Sequence, residues 1–190
     1  MLPIAGFAVT NTPEVAIKNY YEIPALFNQI LSKYTDEEIV KKEFKSSLKN
    51  ILTGEQLESW SRFIGETSTR STFYGEAFSG LISASPLKIL DIEINGNKSK
   101  ARVKLTTKHS YSGSQNLPSI EYLFEKYHIS NMKLDDLKKN EKTTPVPEVI
   151  TYEVTSDVID TLELVKIDAL WKVTNISKKI VNSELNVIMP

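Results

Sequence analysis

Cysteine is absent from the chain, which removes disulfides, thiol nucleophiles and cysteine metal sites together. Arginine is scarce: Arg62, Arg70 and Arg102 stand among basic residues that are otherwise lysines. The bidentate guanidinium fork is the usual instrument for binding phosphates and carboxylates, so anionic ligands lose weight. Histidine is confined to His109 and His128, far apart and without carboxylates at ligand spacing. No metal site and no cofactor site is therefore expected. An excess of one charge is missing too. The net charge is -1, from 23 basic and 24 acidic residues, with neither the basic excess nor the basic stripe of a nucleic-acid binder. No run approaches the ~18 apolar residues of a membrane span. Dinucleotide, phosphate-loop and nucleophile-elbow motifs are missing as well, as are repeats and low-complexity tracts.

What is present is an ordinary globular mixture, 41% hydrophobic and 25% charged over 190 residues, enough for one domain with a full core or one with a sizeable insertion. The apolar opening "MLPIAGFAV" has no charged leader region, and reads either as the stub of a trimmed signal or as a first strand. Residues 1–11 are taken as an N-terminal segment and 12–190 as a single domain with an insertion at about 114–147. Lysine- and asparagine-rich, arginine-poor usage suggests a bacterial chain from an AT-rich genome.

The first helix is signalled by Thr12 as N-cap, Pro13 at the first helical position and Glu14 near the positive end of the dipole. Its apolar face runs on past Pro24, where a kink or restart is expected. Thr35 and Glu38 form a capping box for a second helix with the stripe Val40, Phe44, Leu48 and Ile51 or Leu52. Gly54 is a left-handed stop. Thr53 to Gln56 opens a short helix carrying Leu57, Trp60 and Ile64. "FYGEAFSGLISASP" remains open between helix and strand.

From Leu87 the period turns to two. "LKILDIEI" is a strand, Asn95-Gly96 a tight turn, and the returning strand carries Ala101, Val103 and Leu105 on one face. An irregular segment follows, with an amphipathic helix (Ile120, Leu123, Phe124, Tyr127) and a helical turn around "LDDLKK". Two or three further strands come next, and the tail "KKIVNSELNVIMP" is available as an edge strand. In "LELVKIDALWKV", Asp168-Ala169 marks a hairpin tip and Trp171 a core anchor.

Helices first and a strand meander afterwards indicate α+β. A first helix "PEVAIKNYYE", further helices, a hairpin with an Asn-Gly turn and a terminal hairpin "LVKIDALWKV" resemble the NTF2-like superfamily. Leu164, Val165, Ile167, Asp168, Trp171, Lys172 and Val173 match its closing motif, while Ala169-Leu170 stands where a turn glycine is usual. The resemblance covers about residues 12–112 and 148–177. It implies a cystatin-like cone, with N-terminal helices packed in the concave face of a strongly curved antiparallel sheet and a helical insertion between strands. The superfamily's functions are diverse. The function it suggests most readily is a non-catalytic binding or protein-interaction module: an extracytoplasmic or cell-surface accessory protein, or a component of a secretion or conjugation assembly. The alternative it implies is a small enzyme of the ketosteroid-isomerase or polyketide-cyclase type, using a buried carboxylate and a tyrosine.

No family catalytic motif matches residue by residue, so no catalytic residue is assigned. Among strand carboxylates (Asp91, Glu93, Glu153, Asp157, Asp160), alternation sets Asp91 and Glu93 opposite Ile92 and Ile94, on the solvent face. Tyr20, Tyr21, Tyr74 and Tyr152 are the hydroxyls that would face an inner carboxylate. Tyr20, Tyr21, Tyr34, Trp60, Tyr74 and Phe78 are candidates for lining the cone, either filling it or leaving a pocket for a small apolar ligand. The stripe Ile120, Leu123, Phe124 and Tyr127 must dock somewhere. Docking on the domain is expected, with one edge left for a protein partner or a second copy.

Overall fold

The computed structural model describes residues 12–66, 86–113, 119–129 and 150–188. Expectations for the N-terminal segment, for "FYGEAFSGLISASP" and for the turn at "LDDLKK" lie outside them.

Helix α1 (Pro13–Tyr21) begins where its cap requires, with the Thr12 side chain accepting from the Val15 amide. Glu22 both ends α1 and opens α2 (Ile23–Lys33), so the chain restarts ahead of Pro24 rather than bending through it. Proline at the start of α2 loses only an amide that would be orphaned anyway. Helix α3 (Glu37–Leu48) is capped by Asp36, whose carboxylate accepts from Ile39 at 3.0 Å, one residue later than the Thr35 box expected. Aspartate caps as well as threonine and adds a charge at the positive helix end, which favours the later start. Val40, Phe44 and Leu48 are buried along it. Helix α4 spans Gly54–Glu66; Gly54 has the expected left-handed φ, +55, but it opens this helix rather than stopping α3, which already ends at Leu48.

Strands β1 (Lys88–Asn95), β2 (Lys98–Gly113), β3 (Ile150–Ile167) and β4 (Leu170–Ile188) form one antiparallel sheet in the order β1-β2-β3-β4, with helix α5 (Ile120–Tyr127) between β2 and β3. The fold is α+β, with four helices preceding the sheet among the described residues. Asn95 pairs with Lys98, so the first turn is Gly96-Asn97, one residue on from the expected Asn95-Gly96. Gly96, at φ +58, takes the first central position, where a positive φ is needed.

The second hairpin closes on Ile167 and Leu170, and both residues of its turn, Asp168 and Ala169, have positive φ, 51 and 66. That is the pattern of a type I′ turn built without glycine. Alanine in the left-handed region costs about 1–2 kcal/mol. Ala169→Gly is accordingly expected to raise the stability by about 0.5–1 kcal/mol, part of the gain being offset by glycine's larger entropy loss. A thermal melt of the variant checks this.

Three bulges bend the sheet. Leu90 is extra in β1, and Thr174 and Val181 are extra in β4; a bulge kinks its strand and increases the local twist. At Val173 the outer edge of β4 is bridged by the chain between α3 and α4: Thr53 N–H donates to Val173 O and Val173 N–H to Ile51 O, each at 2.9 Å.

The helices cover one face of the sheet. Ile17, Phe27, Phe44, Leu52 and Ile64 pack there with Ala101, Val103, Leu162, Leu164, Trp171 and Val173 in the main core. Trp171 is buried, in keeping with its expected place as a core anchor. A second, separate core lies under α5, where Leu123, Phe124, Tyr127 and Ile129 pack on Tyr152, Val154 and Leu185. The opposite face carries ion pairs: Asp91 with Arg102, Lys104 with Asp157, and Lys108 with Glu153.

Candidate functional site

Directly opposed residues of an antiparallel sheet share a face, so the register lays the inner face out in rows. Ala101–Leu162–Ile176 belongs to the main core. Next come Val103–Asp160–Lys178, Leu105–Val158–Ile180, Thr107–Ser156–Ser183 and His109–Val154–Leu185. Between the two cores the face therefore turns polar. Asp160, Thr107, Ser156 and Ser183 are all buried there, and the two serine hydroxyls bond to each other at 2.7 Å.

Asp160 is the centre of this belt. It is 2% exposed, and the Tyr21 hydroxyl at the end of α1 donates to its Oδ2 at 2.8 Å. Oδ1 meets no hydrogen-bond donor among the described residues. Burial holds the carboxyl above the usual aspartate range, opposed by the Lys178 charge and the Tyr21 hydrogen bond. Burial, reinforced by the Asp160 charge, pushes the hydroxyls of Tyr20 and Tyr21 far above the ordinary tyrosine value. Both phenols thus stay protonated, as donors. The two rings meet edge to face at 5.2 Å.

Farther along the face, His109 lies against the Tyr127 ring with centroids 5.4 Å apart. Tyr111 and Tyr127 share a hydroxyl hydrogen bond of 2.7 Å. Burial lowers the His109 pKa below the usual histidine value, and the charges of Lys178 and Lys126 lower it further. His128 sits elsewhere, as the left-handed C-cap of α5. Among the described residues no three potential ligands gather around one point.

Of the residues proposed to line the cone, Tyr20 and Tyr21 are brought together with Asp160. Trp60 packs edge-on against Phe44 and Phe63, at 6.3 Å from each, as part of the main core's fringe. Tyr34 caps the C-terminus of α2 and is exposed. Tyr74 and Phe78 lie outside the described residues. Of the proposed partner stripe, Leu123, Phe124 and Tyr127 are buried on the sheet, and Ile120 opens the helix. The ring that α5 presents to solvent is Tyr122, 49% exposed.

Asp91, Glu153 and Asp157 are engaged in the outer-face ion pairs. Glu93 is exposed beside a groove of about 750 Å³ at the β1–β2 turn, which Lys98, Lys100 and Glu163 also line. That groove is of mixed charge, and neither Asp160 nor Tyr21 lines it.

A buried carboxyl whose pKa is raised, accepting from a protonated phenol, is acid–base equipment in kind. Acting on a substrate requires hydrogen-bond reach to it, and here Asp160 is buried while Tyr21 is partly buried. Sequence reasoning set Asp160 among five carboxylates without separating it from them. Parity would have done so, because Asp160 shares its phase with Val154, Val158, Leu162 and Leu164 and must point inward with them.

No protein-family model, no curated protein and no solved structure matches the chain.

Proposed function

We propose that the chain is a non-catalytic binding or protein-interaction module of the NTF2-like type, an extracytoplasmic accessory protein or a component of a secretion or conjugation assembly. The observation that carries the non-catalytic reading is the burial of the Asp160 carboxyl in the middle of the inner face. Asp160 is 2% exposed and Val158 1%, so a substrate would have to part packed side chains to reach the carboxyl. The order of elements supports the NTF2-like comparison: helices, a hairpin, α5 in the insertion, then a long closing hairpin with Trp171 turned inward. β4, 19 residues long, is an outer strand of the described sheet. Its edge beyond the Val173 bridge suits the addition of a strand from a protein partner or a second copy.

A second reading, a small enzyme of the ketosteroid-isomerase or polyketide-cyclase type, is favoured by one observation, the Tyr21–Asp160 hydrogen bond. Titrating the native chain with anilinonaphthalene sulfonate and with small cyclic ketones separates the two. A filled interior predicts no saturable fluorescence gain and no rise in melting temperature. Saturable binding that Asp160→Asn weakens would put the enzyme reading in its place.

A further inference from the structure

Helix α5 is only eight residues long, too short to be stable on its own in water. Its Ser119 N-cap and left-handed His128 C-cap define its ends, but its persistence depends on the contacts of Leu123, Phe124 and Tyr127 with the sheet. The core it closes is separate from the main one, so α5 and its apolar strip can open as a local unit without the rest unfolding.

One titratable side chain sits inside that contact. His109 projects from the inner face of β2, half-buried, with its ring against Tyr127. From α5 it meets the Tyr127 ring and the charge of Lys126, on its own strand Tyr111 follows on the same face, and from β4 the charge of Lys178, three rows away by register, also reaches it. At its level β3 contributes the uncharged Val154 and Tyr152. Lys126 lies over the Tyr122 and Tyr127 rings, at 5.4 and 5.5 Å from their centroids, and so stays over the docked surface. The acidic residues of α5, Glu121 and Glu125, are exposed, and no carboxylate is paired with the imidazole among the described residues. The nearest inner-face carboxyl, Asp160, is engaged by Tyr21.

We propose that protonation of His109 undocks α5, so that mildly acidic solution uncovers the apolar strip formed by Tyr152, Val154 and Leu185. A proton on the docked imidazole adds a positive charge in a partly desolvated place that the charges of Lys126 and Lys178 already reach. When α5 leaves, the ring becomes solvated and Lys126 moves away with its helix, so the open state binds the proton more tightly. Linkage then fixes the direction: docking is complete above the ordinary histidine pKa of about 6.5 and weakens as pH falls below it. One proton sets the limit, up to about tenfold in the open population for each pH unit inside the window.

Amide hydrogen exchange of the full chain at pH 7.5 and 5.0, corrected for intrinsic exchange rates, reads this directly. Protection of residues 121–127 should fall severalfold toward acid, while α3 holds its protection. His109→Phe keeps a ring against Tyr127 but cannot charge, and should leave α5 equally protected at both pH values. A wild-type α5 indifferent to pH, or the same loss in His109→Phe, overturns the proposal. The imidazole titration by NMR is a second measurement that needs no variant. A midpoint clearly below that of free histidine is expected, rising in Lys126→Met, and a midpoint at or above it overturns the latch.

Discussion

Replacing Trp171 by alanine is expected to lower the unfolding free energy by about 3–5 kcal/mol. The indole is 4% exposed, belongs to the main core and stands at the start of β4, a strand that α1 and α4 both contact. Removing it deletes a large apolar contact and leaves a cavity that several fixed elements bound. α4 cannot move in freely, because the Thr53–Val173 and Val173–Ile51 hydrogen bonds tie the preceding chain to β4. The cost is therefore the transfer term plus an unrelaxed void, a large share of the roughly 5–15 kcal/mol of a typical domain. Trp171→Phe keeps most of the volume in an aromatic shape, and should cost less than half as much. Denaturant unfolding followed by circular dichroism reports a shifted midpoint with an unchanged slope if only stability is altered. A loss below about 1 kcal/mol for the alanine variant would mean that the indole bears little of the packing between helices and sheet.

The parts of this fold legible in the sequence are those that local chemistry decides. Thr12-Pro13-Glu14 announces α1, the Val40–Phe44–Leu48 stripe fixes the buried face of α3, and Ala101, Val103 and Leu105 alternate inward along β2. The parts missed are those in which one residue's shift is locally almost neutral. Asp36 replaces Thr35 as a cap, and the turn slides from Asn95-Gly96 to Gly96-Asn97, because each alternative is chemically adequate. β4 was hidden for a different reason. Its inward residues run Trp171, Val173, then Ile176, and Ile180, then Ser183 and Leu185, changing phase at the Thr174 and Val181 bulges. A phase change looks like a strand end when alternation is the only signal, so the tail reads as a separate edge strand although β4 continues through it. In the belt between the cores, Tyr20 and Tyr21 were recognisable as aromatics of α1. Their meeting with a residue of β3 is a long-range consequence of helix placement that no local pattern encodes.

That meeting yields the second large effect. Tyr21→Phe is expected to destabilise the chain by about 2–3 kcal/mol at pH 7, because it removes the hydroxyl that donates to a buried carboxylate and leaves the ring volume intact. The effect must depend on pH, and its sign follows from Asp160. Burial raises the folded-state pKa of this carboxyl above its unfolded value of about 3.9. The folded chain therefore holds the proton more tightly than the unfolded chain does. The contribution of Asp160 to stability is fully present below the unfolded pKa and is lost as pH rises through the higher folded one. The Tyr21 hydrogen bond stabilises the charged form and opposes that loss. Without it the folded pKa climbs further, so the penalty of Tyr21→Phe should grow from about 1 kcal/mol at pH 3, where a neutral hydrogen bond is lost, to its full size above the folded pKa. Asp160→Asn removes the titration and should flatten this dependence in both backgrounds. When Asp160→Asn is already in place, adding Tyr21→Phe should carry nearly the same penalty at pH 3 and pH 7. Unfolding free energies of the four proteins at the two pH values form a closed cycle that isolates the coupling. If Tyr21→Phe costs the same at both pH values with Asp160 intact, the carboxyl is already neutral at pH 7 and the tie between α1 and β3 is an uncharged hydrogen bond.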